Sequence, residues 1–537
     1  MSRYFVGVDV GTGSARAGVF DLQGTMLATA KRDLDMFRSD TGRAEQSSAQ
    51  VWHAVCQSVQ QAVAKSGVSP GFIAGIGFDA TCSLVVIGAD DGVGDPSHGF
   101  RDIIVWSDHR ATDQAARINR IGHRVLDYVG GRISPEMQTP KLLWLKENIA
   151  HVYDSAEHFF DLSDYLTWKA SGSVARSTCT VTCKWTYLAH ENGWDADYFR
   201  YIGLGDLADE GFIRIGTEIV PVGTRLAEGL TDEAALAMGL CSGTAVAAGL
   251  VYAPAGGGGT VGASGGFGDV RRTMAYVFGT SSCTMTSSTT AQFVPGVWGP
   301  YYSAMVPGLW LNEGGQSAAG AALDHLVASH PASSEAADMA RAAGKGVTQW
   351  LADRALDMMP EASVHLAAGL HVVPEFQGNR APFADPTSRA VIAGIGMQRG
   401  IDSLVALYVA GLCGLAYGLR QIIVAQELAG IRVDAISVSG GAGGHPLSCQ
   451  IIADATGLPV EVTRSPEPVL LGAAMLGAVA AGAFPDLATA MPHMSSVGPK
   501  HQPDAAVSGV HAARYAAFCK LQAAASDIRL AEVTATG

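Results

Sequence analysis

Near its start the chain carries Phe5-Val6-Gly7-Val8-Asp9-Val10-Gly11-Thr12-Gly13-Ser14, followed by a second apolar run to Asp21. An apolar strand rises to an aspartate, breaks at Gly-Thr-Gly and returns. This is a hairpin pattern, with glycines where the backbone needs positive φ or close approach to a ligand. A carboxylate at a strand end, beside turn amides and the hydroxyls of Thr12 and Ser14, suits magnesium and phosphate held together. An ordinary glycine-rich hairpin has the same local pattern, so the rest of the chain must decide between them.

The design recurs near the midpoint. Tyr276-Val277-Phe278-Gly279-Thr280-Ser281-Ser282-Cys283-Thr284-Met285 is again an apolar strand, a Gly-Thr-Ser turn and a β-prone return. Two such hairpins about 270 residues apart predict two similar halves facing each other. A third glycine cluster, Gly440-Gly441-Ala442-Gly443-Gly444-His445, follows the strand-like Ala435–Ser439 and leads into a helix over Pro446–Gly457. Glycines between a strand and a helix start let a flat base or a phosphate approach the backbone.

The elements around these turns alternate between strand and helix patterns. Ser47–Lys65 repeats apolar residues at Val51, Trp52, Val55, Val59 and Val63, which predicts a helix with one buried face. Ile73–Gly77 and Leu84–Ile87 are short buried strands flanking Asp79-Ala80-Thr81-Cys82-Ser83. Lys141–Asn148 and Leu162–Lys169 are expected as short amphipathic helices.

At 537 residues the chain exceeds what one hydrophobic core usually supports, so two large domains are expected. A net charge of −14 argues against nucleic acid or an anionic membrane surface as partner, because both need basic patches. An anionic nucleotide stays open, since turn amides and one metal ion can hold it locally. The nine cysteines form no CxxC pair and are expected as free thiols. The first residues run straight into a strand, which predicts no signal peptide and a cytoplasmic protein. Two uncharged stretches, Ser403–Leu419 and Pro468–Pro485, are expected as buried core helices that fall short of a membrane span.

With these motifs in place, the chain resembles the FGGY carbohydrate kinases of the actin/hexokinase superfold, and within them the pentulose-kinase branch. The first hairpin is similar to that family's nucleotide-phosphate loop. Pro140-Lys141-Leu142-Leu143-Trp144-Leu145 resembles the tail of its first signature, and Asp161-Leu162-Ser163-Asp164-Tyr165-Leu166 its helix-opening motif. Asn312-Glu313-Gly314-Gly315-Gln316-Ser317-Ala318-Ala319-Gly320 and the late glycine cluster continue the match. Thr81-Cys82-Ser83-Leu84-Val85 is similar to the sequence marking the D-ribulokinase group.

The resemblance implies an α/β fold of two RNase H-like domains around a central cleft. Residues 1–255 would form a sugar-binding N-terminal domain and 256–537 a nucleotide-binding C-terminal one, with glycines near 250–265 as a hinge for closure. It implies that a sugar hydroxyl attacks the γ-phosphate of ATP. Asp9 would organise Mg2+, directly or through water. Gly11, Thr12 and Gly13 with Gly279, Thr280 and Ser281 would hold the phosphates, and Gly320, Gly441 and Ala442 would line the adenosine slot. His445 stands where relatives carry asparagine, which implies an altered nucleotide grip. Cys82, Trp106, Lys184 and Glu313 would meet the sugar. Read without the resemblance, Trp106 has a core aromatic as its alternative, and Lys184 and Glu313 a surface salt bridge. Small-molecule sugar and ATP are the implied partners, and a homodimer is compatible with the reading.

One departure matters. Where relatives carry Asp-Ala-His, with the aspartate as general base, this chain has Tyr252-Ala253-Pro254. A phenol with a pKa of about 10 is neutral at pH 7 and accepts a proton poorly. Losing a positioned base costs about 10²–10⁴-fold in rate. Asp79 is the substitute carboxylate to consider. A pentulose kinase acting on D-ribulose with compromised catalysis is the leading expectation. A non-catalytic sugar- or nucleotide-binding relative, or a kinase for L-ribulose, D-xylulose or ribitol, stays open.

Overall fold

The computed structural model describes residues 3–39, 42–89, 91–95, 97, 99–263, 265–266, 269–441 and 443–536, the side chains of 532–536 excepted. Two mixed sheets organise it. In the first, Tyr4–Val10 pairs antiparallel with Ser14–Phe20, which pairs antiparallel with Met26–Asp33. On its other side Tyr4–Val10 runs parallel to Ile73–Ala80, which Ala245–Val246 and Leu250–Val251 extend. In the second, Thr273–Phe278 pairs antiparallel with Ser282–Ser288, and that strand with Trp310–Gln316. Ala435–Ser439 runs parallel to Thr273–Phe278 on the other side. The two sheets repeat one order and one set of strand directions, as two RNase H-like α/β halves should.

Helices cover the sheets where apolar spacing demands it. Ser48–Ser66 lays Val51, Val55, Val59 and Val63 onto Ser14–Phe20 and Met26–Asp33, the face expected from their spacing. The opposite face of the first sheet is covered from far along the chain by Pro468–Ala480. There the helix and sheet backbones touch. A Cβ on Gly75 would come 2.1 Å from the Gly477 carbonyl oxygen, and one on Gly77 2.1 Å from that of Ala473. Such distances exclude any side chain. The same apolar core therefore holds Phe5, Val277 and Leu470, residues from both halves.

Three local expectations change. The glycines near 250–265 begin with a helix, Tyr252–Gly258, whose residues from Ala253 onward are buried. A Cβ on Gly256 would come 3.0 Å from Val277 and one on Gly259 2.0 Å from the Pro468 carbonyl oxygen, so these two glycines serve close packing. The helix over 141–148 spans Gln138–Asn148 and is not amphipathic, because Gln138 through Leu145 are all buried. Leu162–Ser171 likewise buries most of its circumference. Among the described residues Ile401–Leu428 is long and apolar enough to cross a membrane, yet 78% of its most apolar stretch is buried within the chain.

Candidate active site

The two Gly-Thr turns differ by one residue, the first closing over Gly11–Ser14 and the second over Gly279–Ser281. In the first, the Gly11 N–H donates to the Ser14 carbonyl at 3.0 Å; in the second, Gly279 donates to Ser281 at 2.9 Å. The second turn is further locked to the helix Gly320–Ser329. The Gly320 N–H donates to the Gly279 carbonyl at 2.9 Å, and Ala319 and Ala321 donate to that of Thr280 at 2.9 and 3.1 Å. A Cβ on Gly320 would lie 2.8 Å from the Gly279 oxygen, so only glycine permits this approach. Gly441 follows Ala435–Ser439, which pairs with the strand leading into that turn, and a Cβ there would meet open space. Ala442 lies outside the described residues.

His445 performs a local task. Its Nδ1 accepts the Leu447 N–H at 3.2 Å, capping the helix Pro446–Thr456, while Nε2 pairs with Asp353 at 3.0 Å. Asparagine and histidine both offer a capping acceptor, and this contact accounts for the residue without a nucleotide.

Both turns open into one cavity of about 350 Å³. Its lining unites Gly11, Thr12 and Gly13 with Gly279, Thr280 and Ser281, and adds Cys82, Trp106, Lys184, Glu313 and Tyr252. The Trp106 indole N–H donates to the Thr12 hydroxyl at 2.9 Å, so its polar edge faces the first turn. Lys184 ends the helix Thr178–Lys184, which Asp164 steadies by accepting from the Ser177 N–H at 2.9 Å and the Thr180 hydroxyl at 2.6 Å. The Lys184 ammonium sits 4.3 Å from the centre of the Trp298 ring. Burial opposes its charge, but Glu313 and its other neighbours outweigh that and hold its pKa well above the ordinary value. Glu313 is buried, and its Oε2 has no hydrogen-bond partner among the described residues. Among the described residues neither side chain forms a salt bridge, and both are buried. A carboxylate that accepts and an ammonium that donates suit hydroxyl and keto groups of a small polyol.

Sequence reasoning missed Glu136, Trp298, Arg380 and Arg16, which also line the cavity. Burial alone would raise Glu136, but His109, with Nε2 3.8 Å from its Oε1, and the charges of Arg380 and Lys184 hold it at about 2. Arg380 reaches the same space from the second half of the chain, stacking 5.6 Å from the Trp298 ring centre. Both lie in loops, where an isolated charge reads as solvated until the fold closes over it.

Asp9 and Asp79 are fully buried partners in register on adjacent parallel strands, and neither lines the cavity. Burial raises Asp9 to about 6 against the pull of Arg16; burial and the Asp9 charge raise Asp79 well above the usual carboxylate range. In Asp79, the substitute base to consider, burial and the Asp9 charge thus oppose the ionised form, and the residue is not among those lining the cavity. Arg16 bridges Asp9 at 2.5 Å and Glu467 at 3.1 Å and itself lines the cavity. Mg2+ takes near-octahedral oxygen ligands and keeps several waters. Arg16 pairs with one Asp9 oxygen, while Asp9 Oδ1 and both Asp79 oxygens have no hydrogen-bond partner among the described residues, so Asp9 would organise the ion through water at the cavity edge. Among the described residues no group of three or more His, Cys, Asp or Glu side chains gathers as a metal cluster would.

Tyr252 is the first residue of its helix and faces the cavity within electrostatic reach of Asp9, Arg16 and Asp79. Burial pushes the phenol's pKa up further. Pro254 sits in the helix's first turn, where backbone N–H groups have no intrahelical acceptor, and the helix forms around it.

Comparison with known proteins fits this architecture. The N-terminal domain of the FGGY family of carbohydrate kinases matches residues 4–252 and its C-terminal domain residues 274–481. An FGGY carbohydrate kinase domain-containing protein of Homo sapiens is 44% identical over 541 residues, covering 97% of this chain and 96% of the relative. A D-ribulokinase of Saccharomyces cerevisiae is 38% identical over 520 residues, covering 90% and 72%. The crystal structure of a xylulose kinase from Rhodospirillum rubrum shares the fold with a TM-score of 0.79 at 22% identity, over 98% of this chain and 99% of that one. Matched along both halves, the chain belongs to the FGGY family of carbohydrate kinases.

Proposed function

We propose that this chain is a cytoplasmic, ATP-dependent pentulose kinase of the D-ribulose type whose phosphoryl transfer is slowed by Tyr252. The observation that carries the reading is the single cavity in which both Gly-Thr turns meet the Lys184, Glu313 and Trp106 set. Residues 1–255 and 256–537 both line the cavity, the first adding Lys184, Glu136 and Trp106 and the second Glu313, Arg380 and Trp298 to the sugar side. The similarity to a D-ribulokinase and the sequence Thr81–Val85 support the choice of sugar.

Phosphoryl transfer is largely positioning and charge neutralisation. The turn amides of Gly11–Gly13 and Gly279–Ser281 receive the phosphates, and Arg16, held in place by Asp9 and Glu467, offers its remaining donors beside them. Lys184, Glu313, Glu136 and Arg380 orient the sugar hydroxyls, with Trp106 and Trp298 as walls. Mg2+ enters as the counter-ion of the nucleotide, and no step here depends on a resident ion. The attacking hydroxyl must shed a proton, and the neutral phenol of Tyr252 cannot take it. The same residue favours the competing reading, a chain that binds sugar and nucleotide without turning over.

A coupled ADP-release assay over D-ribulose, L-ribulose, D-xylulose and ribitol separates the two. Tyr252→Asp is expected to raise kcat on D-ribulose by at least about 10²-fold, the worth of a positioned base. Adding Pro254→His should change little more, because Pro254 leaves the helix intact. An unchanged rate in both variants would refute the impaired-kinase reading.

A further inference from the structure

We propose that Tyr252 is itself a phosphoryl acceptor: without sugar, the chain transfers the terminal phosphoryl group of a nucleoside triphosphate to its own Tyr252 hydroxyl. The proposal rests on the kinase reading above and adds a modification site to it.

The placement carries the argument. The Tyr252 side chain lines the same cavity as Gly11–Gly13 and Gly279–Ser281, so a hydroxyl of the chain itself stands among the groups that would hold phosphates. Its backbone is held by a buried helix packed against Pro468–Ala480, where Gly472 approaches the Ala255 carbonyl so closely that a Cβ would lie 2.1 Å from that oxygen. The phenol makes no hydrogen bond to another described residue, whereas the Thr12 hydroxyl already accepts the Trp106 indole N–H. Arg16 lines the cavity beside it, and although Asp9 and Glu467 already pair with it, its remaining N–H donors are open to the phosphate that would form. A phenol is a weak nucleophile, but so is any sugar alcohol. The phenol, like the sugar hydroxyl, has no positioned base here, so its transfer is slow and is carried by alignment in a loose transition state.

The chemistry balances. The phenolic oxygen bonds to the γ-phosphorus, and the bond from that phosphorus to the bridging oxygen breaks. The nucleoside diphosphate leaves with that electron pair, and the phenolic proton passes to water in the cavity. The product fills the space a sugar would need, so the modified chain loses pentulose binding. Sugar and phenol compete for one phosphoryl group.

The test uses the full chain with ATP and Mg2+, followed by intact-mass spectrometry and peptide mapping. The expected result is a gain approaching one phosphoryl group per chain, mapped to Tyr252, absent in Tyr252→Phe and slowed when D-ribulose is present. ATP affinity is titrated in parallel on both proteins. Nucleotide binding with Tyr252 left unmodified overturns this proposal alone. Absence of nucleotide binding overturns it together with the kinase reading. Tyr252→Asp assayed on D-ribulose reports on the kinase reading independently, since that variant has no phenol to modify.

Discussion

The indole N–H of Trp106 donates to the hydroxyl of Thr12 at 2.9 Å, and the backbone carbonyl of Thr12 accepts from Gln46 Nε2 at 3.0 Å. A wall of the proposed sugar site is thereby tied to the turn proposed for phosphate. Trp106→Phe keeps an apolar wall and removes the donor. A net hydrogen bond is worth about 0.5–1.5 kcal/mol, so affinity for D-ribulose and for ATP should each fall by about threefold to tenfold. Titration calorimetry with each ligand checks this. A loss confined to the sugar would mean that the bond does nothing for the turn.

Gly320→Ala probes the second turn. The added methyl would lie 2.8 Å from the Gly279 carbonyl oxygen, backbone that cannot swing aside. Overpacking of this kind costs about 1–3 kcal/mol. The melting temperature should drop and ATP should bind more weakly, while D-ribulose affinity holds. Equal weakening of both ligands would show that the strain spreads through the whole cavity.

Glu136 and His109 make a pair that can be followed directly. Glu136, whose Oε1 lies 3.8 Å from His109 Nε2, is the largest cause raising the His109 pKa. In Glu136→Gln the charge is gone, so His109 must titrate at lower pH than in the unmodified chain. NMR titration of the histidine ring reads this, and D-ribulose binding should weaken in the same variant. A His109 titration that does not move would assign its shift to another group.

Asp161 links the site's scaffold to pH. Burial, with the Asp164 charge adding, raises it to about 8, although Gln138 at 3.1 Å and Trp185 at 3.4 Å donate to it. Between about pH 4, the unfolded value, and this folded pKa, the native chain keeps a proton that the unfolded chain has released. The Asp161 contribution to stability therefore falls as pH rises through that window and is level above it. Asp161→Asn keeps an acceptor and removes the titration. The melting temperature of the variant relative to the parent should climb steadily from pH 4 to 8. A constant difference would place the Asp161 pKa near its ordinary value.

Much of this molecule is legible from short stretches of sequence, because the constraints are local. An apolar run, a Gly-Thr turn and a second run leave the backbone few choices, and both hairpins form where that pattern stands. The helix Ser48–Ser66 follows from the spacing of Val51, Val55, Val59 and Val63. The substitution at Tyr252 is visible in the chain itself, as is the kinship carried by the flanking motifs.

What lies far apart in the chain was decided only by folding. Glu136 and Arg380 share one cavity although they sit in separate loops, and nothing around either residue signals burial. Lys141 opens no exposed helical face. It is buried and donates to the Val105 carbonyl at 3.2 Å, and desolvation lowers its pKa to about 8. Asp9 ends a strand, as its position suggests, but the Arg16 guanidinium one strand over occupies it, since antiparallel pairing sets the two side by side. Strand ends and turns are written by neighbours along the chain. Which charges face each other is set by loops and strands that meet across hundreds of residues, where burial decides whether a charge is solvated, paired or left for a ligand.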